Sequence, residues 1–165
     1  MKKFIFIIIL IIAFSGNLFS QVILPADKTV LDSIKSANTG NVLLFNFWAT
    51  WCKPCVQEFP DLMKIHNDFK DQNFKLIFVT LDFGDDSFSE TKKFLKKQGV
   101  DFTTYYNNFK KDDELIFYMD KNWDGGIPGS FFFDENGILR KTFIGKRKYE
   151  NFKEVISDIM KKSKQ

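Results

Sequence analysis

Cys52 and Cys55 are the only cysteines in the chain, and they stand two residues apart in the run Trp51-Cys52-Lys53-Pro54-Cys55. A bridge that closes so small a loop removes little entropy from the unfolded chain, so stapling gives a weak account of the pair. At the start of a helix the same spacing has a chemical use. Unpaired backbone N–H groups and the helix dipole stabilise a thiolate there, bringing a thiol pKa of about 8.5 down to roughly 3.5–7.5. Cys52 is then the nucleophile. Cys55, one turn deeper, resolves a mixed disulfide and leaves a Cys52–Cys55 bridge behind. The competing use, half of a zinc site, lacks ligands: no second cysteine pair exists, and the one histidine, His66, lies further along the same predicted helix. His66 reads as a packing residue, and neither metal nor cofactor is expected.

The segments around this pair alternate between strand and helix patterns. Val30, Leu31 and Ile34 recur at helical spacing within Asp27 to Lys35, and Thr39-Gly40-Asn41 breaks that pattern. Val42 to Trp48 is almost continuously apolar, as a strand buried on both faces must be, and it runs towards Cys52. Leu62, Ile65 and Phe69 put the cysteines at the start of a helix reaching about Lys70, which Pro60 should kink or end in its first segment. Phe74 to Leu81 is a second buried strand, so strand, helix and strand form a parallel crossover. Ser87 and Glu90 fit a capping box opening a helix with Phe88, Phe94 and Leu95 inward, which Gly99 ends. Phe102 to Tyr106 is a short strand, and Asp112 or Asp113 caps a helix carrying Leu115, Ile116 and Met119. Ser130 to Phe133 and Ile138 to Ile144 flank Asn136-Gly137, an antiparallel hairpin whose turn would place both residues at positive φ. A closing helix from about Lys148 to Lys162 aligns Phe152, Val155, Ile156, Ile159 and Met160 on one face. The expected architecture is α/β, a mixed sheet with helices on both sides.

The first twenty residues read as a separate object. Met1-Lys2-Lys3 supplies a positive start, and the apolar run from Phe4 to Phe14 is shorter than the roughly 20 residues that span a bilayer core, so a cleaved secretory signal is expected, with Ser20 as a cut point and an uncleaved membrane anchor as the alternative. Residues 21–165 then form one domain, and the 17 of the chain's 21 Phe that fall within it suffice for a single core. Without Lys2 and Lys3 the net charge of +3 falls to 22 basic against 21 acidic side chains. Basic stretches such as Lys146-Arg147-Lys148 are short, which argues against nucleic acid as a partner.

Phe45-Asn46-Phe47-Trp48-Ala49-Thr50-Trp51-Cys52-Lys53-Pro54-Cys55-Val56-Gln57-Glu58-Phe59-Pro60 resembles the active-site segment of the TlpA/ResA-like thioredoxin family. Ile127-Pro128-Gly129-Ser130-Phe131-Phe132-Phe133-Asp134-Glu135-Asn136-Gly137 resembles that family's cis-proline loop and following hairpin. The resemblance implies a thioredoxin fold, with the helix and strand at Ser87 to Tyr106 as a helix-strand insertion after the first parallel crossover. It implies that Glu58 is a partly buried acid that handles protons for the deeper sulfur, which is chemically reasonable because a carboxylate in an apolar setting titrates high. An exposed helix-start acid is the alternative for Glu58. It implies a cis bond before Pro128 that frees the Ile127 backbone to pair with a substrate strand across Cys52. Trp51 is assigned to the site and Trp48 to the core. Asn46 stands where plain thioredoxins have a buried aspartate, which leaves Glu58 as the only carboxylate the sequence offers near the cysteines.

The implied activity is that of an extracytoplasmic, periplasmic thiol-disulfide oxidoreductase that reduces disulfides of exported proteins, for example in cytochrome c maturation, and is recharged by a membrane-embedded electron donor. The alternatives are a disulfide-forming oxidant or isomerase on the same fold, whose potentials run from roughly −270 to −120 mV, and a non-enzymatic or metal-delivery module. Pro54 favours the reductant, since strong oxidants carry a histidine between the cysteines; Lys53 pulls weakly the other way by lowering the Cys52 pKa. A peroxidase would need threonine where Ala49 stands, and copper delivery would need wider cysteine spacing and a histidine other than His66. The oligomeric state is left open.

Overall fold

The computed structural model describes residues 21–163. The expected signal segment lies outside the described residues. Six strands form one sheet: β1 (Ile23–Ala26), β2 (Val42–Trp48), β3 (Phe74–Thr80), β4 (Thr104–Asn107), β5 (Gly129–Phe133) and β6 (Leu139–Ile144). Five helices flank it: α1 (Lys28–Ala37), α2 (Lys53–Phe69), α3 (Asp85–Lys97), α4 (Asp112–Met119) and α5 (Tyr149–Lys162). The spatial order is β1-β4-β3-β2-β5-β6, parallel from β1 to β2 and antiparallel across β2-β5-β6. This is a thioredoxin fold.

Every residue of β2 is buried because both faces of the sheet are covered. Alternation along the strand sorts its side chains. Leu43, Phe45 and Phe47 point into one core with Leu31 of α1 and Leu115 and Met119 of α4. Val42, Leu44 and Trp48 point into the other, with Phe59 and Leu62 of α2, Leu95 of α3 and Phe152 and Ile156 of α5. Asn46 belongs by parity to the second face. So does Ser130, which β5 places opposite Asn46 across the strand pair. Two polar residues therefore meet inside an otherwise apolar layer, directly over α2.

Several local expectations change. Ile23–Ala26 is an edge strand beside β4; its sequence, Ile-Leu-Pro-Ala, contains a proline and shows no clear alternation, and proline is tolerated on an edge because the ladder needs no N–H on the open side. Helix α2 runs through Pro60 without ending, and Pro60 sits on its exposed side, while Phe59 beside it is wholly buried. Helix α3 starts at Asp85 behind Gly84, so the Ser87–Glu90 capping box is not formed. Ser87 lies inside the first turn, where its carbonyl accepts from the Thr91 hydroxyl, and Glu90 pairs with Lys93. Helix α4 likewise begins after Lys111, with Asp112 and Asp113 in its first turn rather than at its cap. In the hairpin only Gly137 takes positive φ, at 74°, and the turn is closed by the Gly137 N–H on the Asp134 carbonyl. The Asp134 carboxylate holds Asn136 and Ile138 through their N–H groups, and the register shifts between Phe132 and Phe133. A side chain thus does what the Asn-Gly pair was expected to do alone.

Candidate active site

The thiol pair sits where β2 ends and α2 begins. Cys52 is the N-cap of α2, its Sγ 3.3 Å from the Cys55 N–H, and Cys55 lies inside the first turn. Proline within that first turn loses no helical bond. The two sulfurs are joined in a disulfide with the Cα atoms 5.3 Å apart. Cys52 is 5% exposed and Cys55 1%. Below them Trp48, Phe59, Phe78 and Phe94 pack ring to ring, with Trp48–Phe59 centroids 4.8 Å and Phe59–Phe78 centroids 4.3 Å apart. These rings pack in and against the buried cluster that also holds both cysteines.

Glu58 lies three residues beyond Cys55 on the same helix, 1% exposed. Its Oε1 accepts from Asn46 Nδ2 at 3.2 Å and its Oε2 from the Arg147 backbone N–H in the loop ahead of α5. Burial pushes its pKa up to about 7, because those two donors and the Arg147 charge only partly replace lost hydration. A carboxyl group that titrates near neutrality can take a proton and return it. The exposed helix-start alternative for Glu58 does not fit this placement.

Pro128 is buried and follows a cis bond from Ile127. The antiparallel pairing sets Gly129 opposite Phe47, so the Ile127-Pro128 loop and the Ala49-to-Cys52 loop leave the same end of the sheet side by side. Ile127 is half-buried against the cluster that contains Cys52 and Cys55. A Cβ on Gly129 would come within 3.2 Å of Phe131 and 3.3 Å of the Gly126 carbonyl, so these neighbours would have to give by a few tenths of an ångström to admit a side chain. Trp51 is 69% exposed beside the cysteines, whereas Trp48 is buried. His66 is half-buried with its ring 4.5 Å from that of Phe102, and burial lowers its pKa, as suits a packing residue.

One residue needs adding to the expected set. Glu58 is not the only carboxylate at this end of the sheet: Asp82, just past β3 and 2% exposed, accepts from the Thr50 N–H at 3.1 and 3.2 Å and from the Thr50 hydroxyl at 2.9 Å. The hydroxyls of Thr80 and Thr91 also donate to it, at 2.7 and 2.8 Å. It ties the loop that carries Trp51 and Cys52 to β3 and α3. The signal in the sequence was a lone Asp ending an apolar strand, with threonines at positions 50, 80 and 91 separated too widely to be read as one cluster.

The chain matches the AhpC/TSA family over residues 21–142. It is 32% identical over 133 residues to the thioredoxin-like protein YneN of Bacillus subtilis, an alignment covering 77% of this chain and 68% of YneN. It is 28% identical over 120 residues to the thiol-disulfide oxidoreductase ResA of Geobacillus thermodenitrificans, covering 73% of this chain and 64% of ResA, so it spans less than two thirds of that relative's length. A thiol:disulfide interchange protein of the thioredoxin family from Chlorobium tepidum superimposes with a TM-score of 0.64 at 25% identity, over 76% of this chain and 83% of that one.

Proposed function

The chain belongs to the AhpC/TSA family and to its thiol-disulfide oxidoreductases of the ResA type, and from that premise we propose that it works outside the cytoplasm as a reductase of disulfides in exported proteins. The observation that carries the direction of proton flow is the buried Glu58 carboxyl, with its pKa of about 7, one turn beyond Cys55. In the dithiol form the Cys52 thiolate, held at the helix N-terminus, attacks a substrate disulfide and forms a mixed disulfide while one substrate sulfur leaves as thiolate. Cys55 gives its proton to the Glu58 carboxylate and attacks Cys52 Sγ. The second substrate sulfur leaves, two electrons have passed to the substrate, and the Cys52–Cys55 bridge remains. The described structure corresponds to that end state. A membrane-embedded donor must then reduce the pair before the next cycle.

Trp51 and the Ile127 backbone form the surface on which a substrate segment lies. Among the described residues no hydrogen bond engages the Ile127 N–H or carbonyl, so both can pair with an extended substrate strand, and the adjoining Pro128 shapes that loop. Apocytochrome c is one cysteine-bearing exported protein that fits. No helix among the described residues is long and apolar enough to cross a membrane; release outside the cytoplasm rests on the N-terminal segment Met1 to Ser20 acting as a cleaved signal.

The test is the reduction potential of the pair by equilibration with glutathione or thioredoxin buffers. A value below about −220 mV fits a reductase, and one above about −180 mV would assign the chain to disulfide formation instead. Cys55→Ser expressed in the native host should accumulate substrates linked to Cys52, and mass spectrometry of those adducts names the substrate class. N-terminal sequencing of the exported product locates the cut.

A further inference from the structure

Asn46 is a strange residue to find in the middle of a strand buried on both faces. It is 1% exposed. Its Nδ2 donates to Glu58 Oε1 at 3.2 Å and to Ser130 Oγ at 3.0 Å, while its Oδ1, also buried, has no partner among the described residues. A buried amide oxygen left without a donor costs a protein about 1–3 kcal/mol, which an apolar side chain of similar size would avoid.

The hydrogen-bond inventory around Glu58 explains what the amide offers in return. Oε2 is committed to the Arg147 N–H, which can only donate. A proton arriving on Glu58 therefore resides on Oε1, where it would face the hydrogens of Asn46 Nδ2. An apolar residue or a fixed donor at position 46 would oppose one of the two charge states. The amide can serve both, because rotation about its last, two-fold torsion exchanges Nδ2 and Oδ1. Ser130 follows, since a hydroxyl that accepts can equally donate. Oδ1 has no hydrogen bond to lose when the amide turns, and the two bonds made by Nδ2 are replaced by bonds to Oδ1 from the Glu58 acid and the Ser130 hydroxyl.

We propose that Asn46 is a positioning residue for the thiol chemistry, a reversible partner that donates to the Glu58 carboxylate and, turned over, accepts from the Glu58 carboxylic acid, so that Glu58 keeps one place beside Cys55 before and after taking its proton. The proposal rests on the reading of Glu58 as the proton acceptor for Cys55. The other groups facing Glu58 do not switch. The Arg147 N–H and charge favour the carboxylate from the loop before α5; burial and the Asp61 charge on α2 favour the acid. Lys146 is turned to Gln57, and Ser130 on β5 reaches Glu58 through Asn46.

The experiment follows the Glu58 carboxyl carbon and the Asn46 side-chain amide by NMR through a pH titration of the disulfide-form chain. The wild type is compared with Asn46→Leu, and the pH profile of Cys55 alkylation is recorded for the reduced forms of both and of Glu58→Gln. In the wild type the Asn46 amide resonances should titrate with the midpoint of Glu58. In Asn46→Leu the Glu58 midpoint should rise by about one pH unit, a tenfold change in proton affinity, because the charged carboxylate loses more with the donor than the neutral acid loses with the acceptor. An Asn46 amide that does not respond while Glu58 titrates overturns the proposal, and that measurement needs no variant to fold. So does a Glu58 midpoint unmoved in Asn46→Leu while Glu58→Gln alters the alkylation profile. If Glu58→Gln itself leaves that profile unchanged, the reading of Glu58 fails and takes the proposal with it.

Discussion

Strand β5 has a buried acid at each end. Near its start Glu58 reaches Ser130 through Asn46; just past its end Asp134 closes the hairpin. Both are nearly closed to solvent, 1% and 4% exposed, but Glu58 has more protein around it than Asp134, and they are held in opposite ways. Burial pushes both up. At Asp134 it is outweighed by the Ile138 and Asn136 N–H groups and by Arg140, whose guanidinium reaches Oδ2 at 2.6 Å, so the carboxyl sits below its ordinary value. Glu58 has one backbone N–H and one amide, and burial wins. Greater depth and fewer donors together make Glu58 the acid that can carry a proton. The hairpin end is built to keep a charge, and the thiol end to let one come and go.

The largest effect expected from this division is at the sulfurs. Cys52→Ser should drop disulfide reductase activity to background, while Asp134→Asn should leave the rate per folded molecule unchanged. An insulin-reduction assay on both, corrected for folded fraction by circular dichroism, checks it. Glu58→Gln comes next: losing the proton acceptor should slow reduction at pH 7 by about 10²-fold, the usual worth of a positioned acid or base. A loss of less than twofold would place Glu58 with Asp134 as structural.

The same pair of acids predicts opposite pH dependence of stability. The folded-state pKa of Glu58 is raised from 4.5 to about 7, so the folded chain holds that proton more tightly than the unfolded one. Its stabilisation is complete below 4.5 and is lost as pH rises to 7, a change of about 3 kcal/mol. Urea denaturation of the disulfide form should therefore show Glu58→Gln gaining on the wild type between pH 4.5 and 8. Asp134 has the reverse sign. Its contribution is present above the ordinary aspartate value and is lost as pH falls through its lowered folded value, so Asp134→Ala should cost about 2–3 kcal/mol at pH 7 and progressively less in acid.

How much of this the sequence carried differs between the two ends. The strand patterns of β2 and β3 and the face of α5 were legible because apolar periodicity reports burial directly, and the Cys52–Cys55 run with Glu58 lies within a single turn and a half of helix. Pro128 came through resemblance, as no local rule makes an Xaa-Pro bond cis. What escaped were groups whose partners are remote in the chain. Asn46 pairs with Ser130 across 84 positions, and Thr50 with Asp82 across 32. Strand β1, with a proline and only four residues, lacked a period to read. At α3 the expected capping box fitted the pattern of residue types, but Gly84 starts the helix earlier and leaves Ser87 inside it.

Asp82 is a third buried acid, and it tests which kind of end the thiol loop belongs to. By its donors it resembles Asp134: a backbone N–H and the hydroxyls of Thr50, Thr80 and Thr91 surround it, the last shared with the Ser87 carbonyl. It should accordingly act as an anchor for the loop. Thr50→Val makes the smallest cut that probes this, since it removes the hydroxyl at 2.9 Å and keeps the Thr50 N–H on the same carboxylate. With its remaining donors intact, the loss should be about 1 kcal/mol. That corresponds to a fall in melting temperature of about 2–4 °C for a chain of this size. Cys52 alkylation should stay within about twofold of wild type with its pH midpoint unmoved, because the backbone anchor still holds Trp51 and Cys52 at the head of α2. A displaced midpoint would instead show that the Thr50 hydroxyl sets the environment of Cys52 as well as the position of its loop.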